Sequence, residues 1–135
     1  MKVLKSASIT PFGGLNFVIN ELDKHGIGTL LNKDLPELAA QCQYNWRDIF
    51  YSYWSVFFCG GDCAEDLGGN FRDALSNMPK LAIPSPDRVL DRIKQLATEP
   101  TLFDSPRGKA AHYFAVNEKL NELNLNICKK LFGSD

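Results

Sequence analysis

Residues 45–61 read NWRDIFYSYWSVFFCGG, and the fold turns on this stretch. Asn45 is a capping residue whose side chain accepts from the free amides of a first helical turn. Asp48 stands three positions on, where a carboxylate reaches back to the cap. Between that cap and the breaking pair Gly60-Gly61, the apolar residues Trp46, Ile49, Phe50, Tyr53, Trp54, Val56, Phe57 and Phe58 cover almost every face. The stretch predicts a helix buried on most sides, with Trp54 part of the core. Aromatic clusters also stack nucleic-acid bases, but such platforms carry interleaved Arg and Lys, and only Arg47 is present here.

Helices are predicted on both sides of this centre. Leu15, Val18, Ile19 and Leu22 recur at i, i+3, i+4 and i+7, with Gly26 as the stop. Ile27, Leu30 and Leu31 predict a short second helix, closed before Pro36. Residues 1–13 mix β-branched residues with Pro11 and Gly13 and read as an extended N-terminal arm ending in a turn. Downstream, Asp62 with Glu65 and Asn70 with Asp73 repeat the capping pattern for short helices at 63–67 and 71–75. Ser85-Pro86-Asp87 is a helix start with a serine cap, a proline where its missing N–H costs nothing, and an acid in the first turn. That helix is predicted to run to Ala97, with Val89, Leu90, Ile93, Leu96 and Ala97 inward and Arg88, Asp91, Arg92, Lys94 and Gln95 outward. Residues 98–109 read as a loop. From Ala110, the series Tyr113, Val116, Leu120, Leu123, Ile127 and Leu131 predicts a C-terminal amphipathic helix over 110–135 with a narrow seam.

The expected class is therefore all-α: a small helical domain over 1–109, with a helix-turn-helix-like unit at 62–97, followed by a long C-terminal helix. The 135 residues suffice for one core. The longest apolar run is too short to cross a membrane, and no secretory signal is visible, so a cytoplasmic location without membrane contact is expected. The four cysteines read as free thiols. Cys59 and Cys63 have His25 and His112 available but lack the second ligand pair a zinc site prefers, and Asp62, Glu65 and Asp66 are explained as helix-start residues, so no metal site is expected. No phosphate loop, dinucleotide motif or nucleophile elbow occurs.

Net charge is −1, so any affinity for an anion has to come from local distribution. Asp34 to Pro79 holds seven acidic and two basic residues; Lys80 to Lys109 holds six basic and four acidic, with Lys2 and Lys5 near the N-terminus. A unit such as 62–97 places its last helix in a DNA major groove. There Arg88, Arg92 and Gln95 suit base edges or phosphates and Lys94 suits phosphate. The DNA-contacting set is thus Ser85, Arg88, Arg92, Lys94, Gln95, Lys80, Lys2 and Lys5. The same charges also serve simply to solvate a helix face.

Three stretches, in order and spacing, carry a resemblance: Ile9-Thr10-Pro11-Phe12-Gly13-Gly14-Leu15, Phe57 to Leu67 (FFCGGDCAEDL), and Ile83 to Arg92 (IPSPDRVLDR). Together they resemble the N-terminal region of DDE-type insertion-sequence transposases. The resemblance implies sequence-specific binding of double-stranded DNA at terminal inverted repeats, ahead of a ribonuclease-H-like catalytic domain whose carboxylates hold two divalent metals. That set falls beyond Asp135, so no catalytic residue is carried over, no cofactor is expected in this chain, and it is not expected to be an enzyme by itself. The rival is a helical interaction or dimerisation module in which the seam of the C-terminal helix pairs two copies as a homodimer without DNA contact.

Purified protein is expected to show no nuclease or strand-transfer activity with magnesium or manganese, because two-metal phosphoryl transfer needs several convergent carboxylates. Metal-dependent cleavage that co-purifies with the chain through successive columns is the contrary result.

Overall fold

A computed structural model describes residues 10–69, 71–104, 107–108 and 111–133. Among these lie helices α1 (Leu15–Lys24), α2 (Ile27–Asp34) and α3 (Trp46–Phe58), then a 3₁₀ turn (Ala64–Leu67), α4 (Arg72–Ser76) and α5 (Pro86–Lys94). A two-stranded ribbon, β1 (Thr101–Phe103) and β2 (His112–Phe114), and α6 (Glu118–Phe132) complete the order. The fold is mainly α with a long C-terminal helix. No helix among the described residues is long and apolar enough to cross a membrane. Residues 1–9 of the expected arm lie outside the described residues; Pro11 to Gly14 form the turn that enters α1, and Phe12 meets Phe71 edge-on at 5.2 Å.

Local signals account for α1 to α3. The amides of His25 and Gly26 donate back to Glu21 and Asp23, and Gly26 turns the chain into α2 with φ +68°, a left-handed conformation that side chains resist. At α3 both capping bonds form: Asp48 N–H donates to Asn45 Oδ1 at 3.0 Å and Asn45 N–H to Asp48 Oδ2 at 3.1 Å. Trp46 Nε1 donates to the Pro36 carbonyl at 2.7 Å, fastening the link that precedes the helix. Ile49, Tyr51 and Val56 are fully buried with Ile27, Leu31, Leu67, Leu75 and Val89. Ser52 and Ser55 share that interior because their hydroxyls donate to the carbonyls of Ile49 and Tyr51.

α3 is nevertheless not enclosed all round. Phe57 and Phe58 are 47% and 57% exposed, and Phe50, Tyr53 and Trp54 are half-buried along its flank. A chain of this size has too few elements to cover every side of a central helix. Rings at i, i+4 pack on one another instead: Phe50 on Trp54 at 5.5 Å and Tyr53 on Phe57 at 5.1 Å.

Three further expectations are corrected. The segment at 63–67 is a 3₁₀ turn, and its capping carboxylate is Asp66, which accepts from Asp62 N–H at 3.0 Å and Cys63 N–H at 3.4 Å; Glu65 is exposed. The cap falls on Cys63, one residue later than expected, which moves the third position by one. α4 begins at Arg72 with no side-chain cap, and Asn70, expected there, lies outside the described residues. α5 ends at Lys94, so Ala97 is exposed beyond it.

The largest correction concerns residues 98–117. Tyr113 belongs to β2, which pairs antiparallel with β1 in the register Thr101↔Phe114, Leu102↔Tyr113, Phe103↔His112. Both segments are rich in residues that favour strands, and the helical spacing of Tyr113 and Val116 with Leu120 is coincidental. Asn117 caps α6: its Oδ1 accepts from Leu120 N–H at 3.2 Å while its Nδ2 donates to the Leu96 carbonyl at 2.7 Å. The remaining seam packs on the chain's own core, with Leu123 buried and Leu120, Ile127 and Leu131 half-buried against it.

Ile49→Ala is expected to lower stability by about 2 to 5 kcal/mol through a buried cavity. Phe57→Ala, on the exposed flank, is expected to cost less than about 1 kcal/mol. Denaturant unfolding of the two variants checks the difference.

Candidate nucleic-acid interface

α5 is built to begin sharply. Ser85 Oγ accepts from Arg88 N–H at 3.3 Å and Pro86 opens the first turn. Val89 is buried beneath, where α5 packs on the 3₁₀ turn and α3, and Leu96 is buried just past the helix end, its carbonyl held by Asn117. At about 100° per residue, Arg88 and Arg92 fall on one stripe of the helix, continued by Gln95 at its C-terminal cap, and Leu90 and Ile93 on the opposite flank.

Only part of the expected set is presented freely. Arg88 is exposed and, among the described residues, makes no side-chain hydrogen bond or ion pair; Asp87 and Asp91 pair with neither arginine. Arg92, expected to point outward, is folded back. Its Nη2 donates to Cys42 Sγ at 3.4 Å, its Nη1 to Gln95 Oε1 at 3.1 Å, and its Nε is buried without a partner. Arg92 and Gln95 are therefore brought together, and the pair ties α5 to the link before α3. Lys94 is exposed but lies off the stripe, lining with Leu90, Ile93, Leu120 and Asn121 an open groove of about 720 Å³ between α5 and α6. Lys80 faces α1: its Nζ donates to Asn20 Oδ1 at 3.3 Å. Lys2 and Lys5 lie outside the described residues. Arg72 on α4 is exposed and likewise makes no side-chain bond among the described residues.

The link that delivers α5 is held by a group whose role is invisible from spacing. Arg47 donates from Nε to Asp23 Oδ1 at 3.0 Å, from Nη2 to Asp23 Oδ2 at 2.8 Å, and from Nη1 to the Lys80 carbonyl at 3.0 Å. Its guanidinium carbon sits 4.3 Å from the centre of the Tyr51 ring, and the Tyr51 hydroxyl donates to Asp23 Oδ1 at 3.1 Å. Lys80 takes a left-handed φ of +65°, unusual for a side-chained residue and stabilised by this carbonyl contact. Gly28 makes room: a Cβ there would stand 2.6 Å from Arg47 Cδ. The one sequence signal is a cation amid aromatic residues with Tyr51 four positions on, on the same face.

Burial alone would raise the Asp23 carboxyl, but the Arg47 hydrogen bonds and charge, the Tyr51 hydroxyl and Lys80 outweigh it and hold the group below its ordinary value. Burial and the Asp23 charge push the Tyr51 phenol upward, so it stays a donor. The Asp23 hydrogen bond raises Arg47 further. Among the described residues no three His, Cys, Asp or Glu side chains are placed to hold a metal ion.

Comparison with known proteins adds no relative: no family model, no curated protein and no solved structure matches this chain.

Asp23→Asn is expected to destabilise the protein by about 2 kcal/mol at pH 7, as loss of a charged hydrogen-bond partner. A carboxyl lowered in the folded state contributes above its unfolded pKa, and that contribution is lost as pH falls through the folded value. The gap between wild type and variant is therefore expected to be full at pH 7 and to close below about pH 4, as read by urea unfolding at several pH values.

Proposed function

We propose that this chain binds double-stranded DNA through the outward stripe of α5, as the DNA-contacting N-terminal part of a DDE-type insertion-sequence transposase. Its target is the terminal inverted repeat, and it has no catalytic activity of its own. The observation that carries the reading is Arg88: an exposed guanidinium in the first turn of a sharply capped helix, with no carboxylate of the described residues committed to it. A solvated helix face ordinarily pairs such a charge with the acids beside it, and Asp87 and Asp91 are within reach along the chain but unused. The resemblance of residues 83–92 to the transposase region points to the same helix.

The roles follow from exposure. Arg88 reads a base edge in the major groove, where its fork matches guanine O6 and N7. Ser85 and Gln95 make backbone contacts beside it, Lys94 reaches a neighbouring phosphate from the groove flank of the helix, and Lys80 reaches phosphate only by leaving Asn20. Arg92 positions the stripe through Cys42 and Gln95. In the rival reading, the α6 seam pairs two copies; here Leu123 and its neighbours already pack on α2 and the core.

Arg88→Ala is expected to weaken binding to inverted-repeat duplex by about 1 to 3 kcal/mol, with a smaller effect on random duplex. Lys94→Ala is expected to weaken both about equally and to reduce the salt slope by about one. Arg92→Ala should lower melting temperature along with affinity. Anisotropy titrations in increasing salt measure all three; binding indifferent to salt and to Arg88 removes α5 from the DNA reading.

A further inference from the structure

Helix α6 carries two apolar stripes, and its own chain covers one of them. Leu123, with Leu120, Ile127 and Leu131, packs on the core, and α2 is the helix it rests on. At about 100° per residue, Leu125, Cys128 and Phe132 lie roughly 140° to 200° around the axis from Leu123. Leu125 is 55% and Phe132 84% exposed, and Cys128 is an exposed free thiol. With Asn121 before them, these residues step by 4, 3 and 4 positions, the spacing of a seam between two helices. Glu122 and Lys129 flank that stripe on one side. Both are exposed and, among the described residues, neither makes a side-chain hydrogen bond or ion pair.

We infer that this outer stripe of α6 is the contact surface for α6 of a second copy of this chain, the two helices running antiparallel across a two-fold axis. Charge identifies the occupant and its direction. The acid, Glu122, stands in the first half of the helix and the base, Lys129, in the second, both on the same flank of the stripe. A reversed copy therefore sets Glu122 of each helix opposite Lys129 of the other. A parallel copy would set Asn117 and Asn124 opposite them and leave both charges unpaired. In the reversed register Leu125 packs on Cys128, and Phe132 on Asn121, of the opposite helix, so the exposed side chains of the stripe are the ones that the pairing covers. The two helix dipoles then run in opposite directions, and the two-fold axis makes the contact self-complementary. The interface is small, so the pair is a weak one. The inference does not depend on the DNA reading, because no residue of α5 takes part.

Sedimentation equilibrium of the full chain tests it, with a reductant present to keep Cys128 a thiol. Wild type is expected to dimerise at concentrations on the order of 500 µM and to dissociate on dilution. Phe132→Glu is expected to stay monomeric at that concentration with unchanged helical circular dichroism. Glu122→Lys and Lys129→Glu are each expected to weaken the dimer about tenfold, since two sites turn from attraction to repulsion. The two changes together are expected to restore it, which neither a loss of folding nor a parallel pairing would give. A wild type that stays monomeric, a Phe132→Glu variant that dimerises like wild type, or a double variant no tighter than the single ones overturns the inference. So does Lys129→Glu lowering affinity for duplex DNA with no change in self-association, which would make this flank a nucleic-acid surface.

Discussion

The arrangement of this domain depends on one guanidinium. Arg47 uses Nε and Nη2 on the Asp23 carboxylate of α1 and Nη1 on the Lys80 carbonyl, lies over Tyr51 of its own helix, and passes through space that Gly28 of α2 leaves open. Three segments, α1, α3 and the link at Lys80, are joined by a single planar group. Lysine would not substitute, because a point charge on a flexible stem cannot hold two carboxylate oxygens and a carbonyl in fixed directions. The ion pair is half-buried, with side-chain exposures of 20% for Arg47 and 31% for Asp23. Its desolvation cost is accordingly moderate, and hydrogen bonds, including that from Tyr51, fill the acceptor sites of Asp23.

α5 inherits its position from this contact. The chain reaches Ser85 through Leu81 to Pro84, an extended link whose first end is tied at the Lys80 carbonyl. Val89 then plugs into the core, and Arg92 reaches Cys42 on the link ahead of α3, so the nine-residue helix is anchored from before, beneath and beside. A helix that short is not stable from propensity alone. Tertiary anchoring is what presents Arg88 in a fixed direction, the requirement for any base-reading role.

The elements legible in the sequence were those specified by neighbours along the chain. Asn45 with Asp48, Ser85 with Pro86, and Gly26 each act within one turn, and α1, α2, α3 and the start of α5 stand where these residues put them. The seam Leu120, Leu123, Ile127, Leu131 was likewise visible from its period. Illegible were the features decided by partners far away or by competition between patterns. Asp23 and Arg47 are 24 positions apart, Arg92 and Cys42 are 50 apart, and no period links them. Tyr113 and Val116 fit a helical spacing and a strand composition at once; Asn117, a capping residue followed by Glu118, was the local signal that the helix begins there. Of the proposed DNA set, Ser85 was legible as a cap and Arg88 as outward, while the commitments of Arg92 and Lys80 were not.

The small helix α5 presents two different flanks. Arg88, Arg92 and Gln95 define one stripe, while Leu90 and Ile93, roughly 180° around the axis, open together with Ala97 past the helix end onto the groove that Ala115 and Val116 close from the ribbon side. Lys94 sits on that second flank. The Arg88 stripe and the groove flank that carries Lys94 are therefore separate faces of one nine-residue helix.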